Sequence, residues 1–217
     1  MMPEATSVLH ATNYFGPVFF YFTLNKAQSV YIDQHEHFIR QTYRNRCLIQ
    51  GANGVLPLTV PVEKGRSPQQ KIRDIRIAYH IPWQRNHWRS IVSAYKNSPF
   101  FDDYQPDIQH YFTKEFKFLF DLNLSIMDTM CQLLNLKGDI LLTKDFEKTD
   151  GEFVNFRTSL TPKIPMVETA PWYMPVEYTQ VFEDKFPFMP GLSILDLLFC
   201  AGPGALGYLG QEIPGKT

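Results

Sequence analysis

The chain has 217 residues, enough to bury a core as one compact domain, and 44% hydrophobic with 15% aromatic content marks it as globular rather than disordered. A formal charge of -1 at pH 7 removes the electrostatic basis for nucleic acid as the main partner. No apolar run reaches the roughly 18 residues a membrane span requires, since the longest, 192–199, is broken by Ser193 and Asp196.

The opening Met1-Met2-Pro3-Glu4-Ala5-Thr6 has neither the basic nor the apolar region of a leader, so secretion is not expected. Cys47, Cys131 and Cys200 are odd in number and lack CxxC spacing. They read as buried free thiols, which fits a reducing, cytoplasmic location.

Ser7-Val8-Leu9-His10 reads as a strand, residues 17–27 as a helix opened by Pro17, and Ser29-Val30-Tyr31-Ile32 as a second strand. A strand, helix and strand in so short a span predict a right-handed parallel crossover, the first unit of an α/β sheet. Ligands gather beyond the carboxyl ends of such strands, and here those ends carry His10 and Asp33-Gln34-His35.

Cys47-Leu48-Ile49 and residues 55–60 flank Gly51-Ala52-Asn53-Gly54, which predicts a hairpin turned by Asn-Gly. Residues 63–70 read as a polar loop and 71–77 as an exposed or bulged strand. From Trp83 the spacing Trp83, His87, Ile91, Tyr95 is helical and ends at Asn97-Ser98-Pro99. A second helix is expected from Pro106 or Asp107 through Phe116, and a third through Leu122, Ile126 and Met130 to Gly138. Residues 143–178, with four prolines, read as irregular. Ser193-Ile194-Leu195-Asp196 has the form of a capping box opening a helix that stops at Gly202.

The expectation is therefore an α/β fold occupying residues 1–217 as a single domain. An N-terminal βαβ unit and a hairpin form a mixed sheet over 1–80, a helical region over 81–140 packs on it, and 141–217 is irregular with a short terminal helix.

The polar density lies at residues 31–46. Arg44 and Arg46, if extended, share a strand face, where like charges repel unless an anion or carboxylate lies between them. With Gln41 and Asn45 they form the leading candidate ligand site, since arginine forks recognise phosphate or carboxylate in two-point fashion. The competing reading pairs them with acids such as Asp33, Glu36 or Asp102. His10 or His35 are the candidate catalytic residues for proton transfer. Asn13, Tyr14, Gln34 and His87 join the binding set, although His87 also fits a core position. His35-Glu36-His37 shows only one metal-compatible spacing, so no metal site is assigned. Asp121 and Asn123 are polar insertions in an apolar helix and need partners. There is no GxxxxGK[ST] loop, GxGxxG turn, HExxH or GxSxG elbow, which disfavours P-loop ATPases, classical dehydrogenases, zincins and α/β-hydrolases.

His10-Ala11-Thr12-Asn13-Tyr14-Phe15, Arg40-Gln41-Thr42-Tyr43-Arg44-Asn45-Arg46, Leu58-Thr59-Val60-Pro61-Val62 and Trp83-Gln84-Arg85-Asn86-His87-Trp88-Arg89-Ser90-Ile91 together resemble the WbqC-like protein family. Ala94-Tyr95, Pro99-Phe100-Phe101 and Leu192-Ser193-Ile194-Leu195-Asp196 extend the likeness. The resemblance implies a bacterial protein of O-antigen or other surface-polysaccharide biosynthesis, with glycyl or another aminoacyl transfer as the suggested activity. The chain departs from the family's Gln-Pro-Asn-Tyr-Phe-Pro pattern at Ala11, Thr12 and Gly16, which removes any contact from that glutamine.

The sequence thus predicts a transferase taking an activated anionic donor, bearing phosphate or carboxylate, and a sugar or amino-acid acceptor. The alternative is a non-catalytic module that binds a nucleotide-sugar or carboxylate within a glycan pathway. No motif names a cofactor, and oligomeric state has no signature.

Overall fold

The computed structural model describes residues 7–64, 69–146 and 153–209. Residues 1–6, where no leader is expected, lie outside them, as do residues 65–68 of the polar loop expected at 63–70.

The chain opens with β1 (Ser7–His10), passes through α1 (Val18–Lys26) and returns as β2 (Ser29–Ile32). The strands pair in parallel from Ser7↔Ser29 to His10↔Ile32, as the opening unit of an α/β sheet requires. Seven of the nine residues of α1 are buried, so this helix is wrapped on all sides rather than lying half in water.

The chain next forms β3 (Arg46–Gly51) and β4 (Gly54–Thr59). This is the expected hairpin, and it stands as a separate two-stranded antiparallel sheet. Only Gly54 takes the left-handed backbone at its turn, with φ 112°. Residues 71–77 differ from expectation. Ile72–Asp74 is a 3-10 turn, and Lys71, Arg76 and Ile77 make isolated bridges to His37, Phe118 and Val62. The spacing from Ile72 to Ile75 is one such turn, because side chains three apart eclipse in 3-10 geometry.

Three helices follow: α2 (Trp83–Tyr95), α3 (Phe101–Gln109) and α4 (Leu119–Leu133). α3 starts ahead of the expected Pro106. Asp102 and Asp103 in its first turn favour the exposed amides there, and Pro106 removes one helical hydrogen bond inside it. α4 stops short of Gly138. Asn135 takes φ 54°, its amide donates to Gln132 O at 3.0 Å and the Leu136 amide to Cys131 O at 2.9 Å, closing a Schellman motif.

β5 (Ile140–Leu142) then pairs with β2 and β6 (Val154–Asn155) with β1, both in parallel. The sheet order is β5-β2-β1-β6. β6 and the short α5 (Met166–Thr169) fall in the stretch read as irregular. α6 (Ile194–Ala201) begins and ends as expected, and α7 (Ala205–Tyr208) closes the described chain. The Ser193 hydroxyl accepts the Leu195 amide at 3.3 Å, but the box is not reciprocal: the Ser193 amide goes to Leu48 O and the Asp196 carboxylate turns inward. One aromatic-rich core joins α1, the hairpin and α2 to α6, with Phe15, Phe19, Tyr21, Tyr95, Tyr111 and Phe199 fully covered.

Candidate functional site

Four parallel strands end at one edge, and each exit presents polar side chains: His10 on β1, Asp33 after β2, Thr143 after β5, and Asn155 with Arg157 at β6. Asp33 is fully buried. One carboxylate oxygen accepts the His35 amide at 2.8 Å, the Glu36 amide at 3.1 Å and the Thr143 hydroxyl at 3.3 Å. The other pairs with Arg157 Nη1. Asn155 Oδ1 accepts Arg157 Nε at 3.2 Å, and the exposed Phe146 ring lies 4.9 Å from that guanidinium. These contacts fix Arg157 at the exit of β6.

Arg44 sits in a turn before β3, not in an extended strand, so it does not share a strand face with Arg46. Its guanidinium makes a two-point pair with Glu36, through Nε to Oε1 at 2.8 Å and Nη2 to Oε2. Nη2 also donates to Arg157 O at 2.8 Å and Nη1 to Thr42 Oγ1 at 3.3 Å. Burial pushes the Glu36 carboxyl up, against the Arg44 fork, which pulls it down. Asp33, Arg157, Glu36 and Arg44 thus form one buried group of balanced charge.

The exit loop of β1 docks on this turn, because the Tyr14 amide donates to Tyr43 O at 2.8 Å. Asn123, on α4, donates to Thr12 Oγ1 at 3.1 Å and to the Arg44 carbonyl at 2.8 Å. It meets the backbone of Arg44, while Asp121 stays exposed. Asn13 Nδ2 folds back to Ala11 O, and Asn45 braces the turn through Val60 O and the Gln41 amide. Gln41 itself is exposed with φ 59°. Gln34 reaches Thr143 O at 2.7 Å, joining the exits of β2 and β5.

The three histidines of interest differ in setting. His10 is fully buried between Phe156 and Phe20, with Nε2 2.8 Å from Thr23 Oγ1. The Thr23 hydroxyl donates to Phe20 O, so it accepts from His10 and leaves Nδ1 as a buried lone pair without a partner among the described residues. Burial lowers the His10 pKa to about 3, which keeps the ring neutral. His87 is also buried, with Nδ1 2.9 Å from the Tyr14 hydroxyl, a contact to the Thr59 carbonyl and a pKa lowered to about 4. His35 is half-buried, and its Nε2 has no partner among the described residues.

Arg46 is half-buried and bonds through Nε to Thr59 Oγ1 at 3.0 Å. It has no acidic partner among the described residues. Thr59 therefore links Arg46 to His87 and, through it, to Tyr14. The candidates fall into two linked groups, His10, Gln34, His35 and Arg44 at the sheet edge, and Tyr14, Arg46 and His87 beside the hairpin. Gln41 and Asn45 shape the turn between them.

Sequence reasoning passed over Arg157, Asn155 and Thr143. The run Phe153-Val154-Asn155-Phe156 before Arg157 is the available signal, a short apolar stretch that a buried Asp33 needs a cation to follow. Among the described residues, no group of three or more His, Cys, Asp or Glu is placed to hold a metal ion.

Parallel strands ending on buried charged and amide side chains define an α/β protein with its polar site at the strand exits. Within that class the chain belongs to the WbqC-like protein family, whose pattern it matches over residues 13–161. It is 26% identical over 194 residues to the uncharacterized protein Rv1507c of Mycobacterium tuberculosis, covering 79% of this chain and 83% of that protein. No solved structure matches it significantly. No helix among the described residues is long and apolar enough to cross a membrane.

Proposed function

We propose that the chain is a cytoplasmic transferase of bacterial surface-polysaccharide assembly, taking a phosphate- or carboxylate-bearing activated donor and a sugar or amino-acid acceptor. Glycyl or other aminoacyl transfer is the reaction this reading favours. The observation that carries it is the convergence of four strand exits on one buried charged group, the place where open parallel sheets bind ligands. In this reading Arg46 holds the donor anion, because Arg44 is saturated by Glu36. Asn13, Gln34 and Asn45 set the backbone that receives the acceptor. His35, half-buried and with no partner for its Nε2 among the described residues, moves the proton, and His10 serves as a neutral acceptor at the inner wall.

The saturation of Arg44 also supports a second reading, in which the same edge only holds a nucleotide-sugar or carboxylate without turnover. A thermal-shift screen over nucleotides, nucleotide-sugars and aminoacyl compounds, followed by product analysis on each hit, separates the two. A ligand at 100 times its dissociation constant adds about 2.7 kcal/mol of apparent stability. A hit that is consumed supports the transferase, and one that binds unchanged supports the binding module. No hit across the screen removes both.

A further inference from the structure

Away from the sheet edge, cations are held on aromatic rings at the surface. Arg76 Cζ lies 5.7 Å and Lys117 Nζ 5.2 Å from the centre of the same Phe118 ring, and Lys114 Nζ 4.9 Å from that of Phe116. All three cations are exposed and both rings half-buried. Backbone contacts fix the group: Arg76 bridges Phe118, the Ile77 amide donates to Lys117 O, and the Tyr79 hydroxyl donates to Phe116 O and accepts its amide. None of the three has an ion-pair partner among the described residues. Glu63, whose amide binds the Arg76 carbonyl, and Glu115 remain unpaired with them.

Two cations over one ring repel each other until an anion comes against them. We infer that this surface seats the protein on an anionic bilayer, with Arg76, Lys114 and Lys117 against lipid phosphates. A single-stranded nucleic acid or a sugar ring binds by stacking on open aromatic faces. Here the rings already carry cations, and Phe116 is also stacked on Tyr111 at 6.1 Å. A layer of phosphates needs only the cation heads. The Ile72 amide binds Glu36 O at 2.9 Å, so the segment that carries Arg76 is tied to the charged group at the sheet edge. Docking here would hold that edge at a fixed attitude to the membrane.

The test is sedimentation of the full chain with vesicles of phosphatidylcholine alone, and of phosphatidylcholine and phosphatidylglycerol in equal parts. Binding is expected only to the anionic vesicles and is lost in high salt. The triple variant Arg76→Gln, Lys114→Gln, Lys117→Gln weakens partition about a hundredfold, since each basic residue near such a surface contributes about one factor of five. A control triple, Lys96→Gln, Lys137→Gln, Lys163→Gln, removes equal charge from other exposed sites and leaves binding within about twofold of the parent. Circular dichroism of both triples confirms that they fold alike. Absence of vesicle binding, equal binding to neutral vesicles, or equal loss in both triples overturns the proposal. Tight binding of soluble polyphosphate without vesicle binding assigns the surface to a soluble anion and overturns it too.

Discussion

Arg44 and Glu36 form a two-point ion pair in which the arginine is 2% and the glutamate 4% exposed. Removing one partner of such a pair leaves a charge that water cannot reach. Glu36→Ala and Arg44→Ala are therefore each expected to lower unfolding free energy by about 3–5 kcal/mol, read from urea denaturation. The double change Glu36→Leu, Arg44→Met should recover much of that loss, because it removes both desolvation costs together. Single variants within about 1 kcal/mol of the parent would show that the pair is not buried in solution.

Arg46 makes the opposite case. Its guanidinium bonds through Nε to the Thr59 hydroxyl, and its side chain is only half-buried. Arg46→Gln should cost about 1 kcal/mol or less in stability. It should nevertheless abolish the thermal shift given by any anionic ligand that the parent binds. An Arg46→Gln protein with undiminished ligand affinity would move the anion site elsewhere.

The buried histidines set an acid limit on stability. His10 and His87 titrate in the folded chain at about 3 and about 4, below the ordinary 6.5, because burial disfavours their charged forms. Below pH 6.5 the unfolded chain takes up protons that the folded chain refuses. Their contribution is thus complete above pH 6.5 and is lost as pH falls towards 4, by up to about 2.7 kcal/mol per pH unit for the two together. His87→Gln, whose amide oxygen can still accept the Tyr14 hydroxyl, should halve the slope between pH 6 and about pH 4.5. An unchanged slope would mean that His87 is already charged or exposed.

The elements that could be read from the sequence are those whose periodicity is set by their own residues. β1, α1, β2 and the hairpin have alternating or fully apolar runs bounded by proline, glycine and polar turns, and α2 and α6 carry clear helical spacing. β5 and β6 are three and two residues long, too short to show a period, and exist because β2 and β1 offer them edges. Ile72, Ile75 and Ile77 mislead for a related reason, since a 3-10 turn imitates an imperfect strand. The site was legible in place, not in pairing. Residues 31–46 carry its charges, and Glu36 was among the acids weighed for Arg44, but the cation for Asp33 arrives 124 residues later on Arg157. Such partnerships are set by sheet order, which local sequence does not encode.

Gly202 tests how α6 is terminated. Its backbone has φ 53°, and a Cβ there would lie 2.4 Å from the Phe100 ring, whose amide is anchored on Phe199 O. Gly202→Ala combines left-handed strain with overpacking against that ring and should cost about 2–4 kcal/mol. Gly204→Ala is the control, since nothing lies within 4 Å of its Cβ and its φ of -76° suits any residue. It should be neutral or slightly stabilising. Equal effects at the two positions would remove the steric account.

Asp196 supplies a pH dependence of the opposite sign. Its carboxylate is fully buried in α6, where it accepts the Tyr178 hydroxyl at 2.8 Å and Gln180 Nε2 at 3.0 Å, with no cation among its partners. Gln180 in turn clasps Met189 through both backbone groups, so the pair fastens the 178–189 segment onto α6. Burial raises the Asp196 pKa from 3.8 to about 6, and the hydroxyl and amide donors only partly oppose it. The folded chain then holds a proton that the unfolded chain releases. Stability from this group is complete below pH 3.8 and is lost as pH rises through 6, by about 3 kcal/mol in total. Asn in its place keeps an oxygen for Tyr178 and Gln180, and its Nδ2 faces the Tyr95 hydroxyl, which interacts with this carboxylate in the parent. Asp196→Asn should therefore match the parent near pH 3.5 and exceed it by about 2–3 kcal/mol at pH 8 in urea denaturation. A difference that does not grow with pH would mean that Asp196 ionises as freely in the folded chain as in the unfolded one.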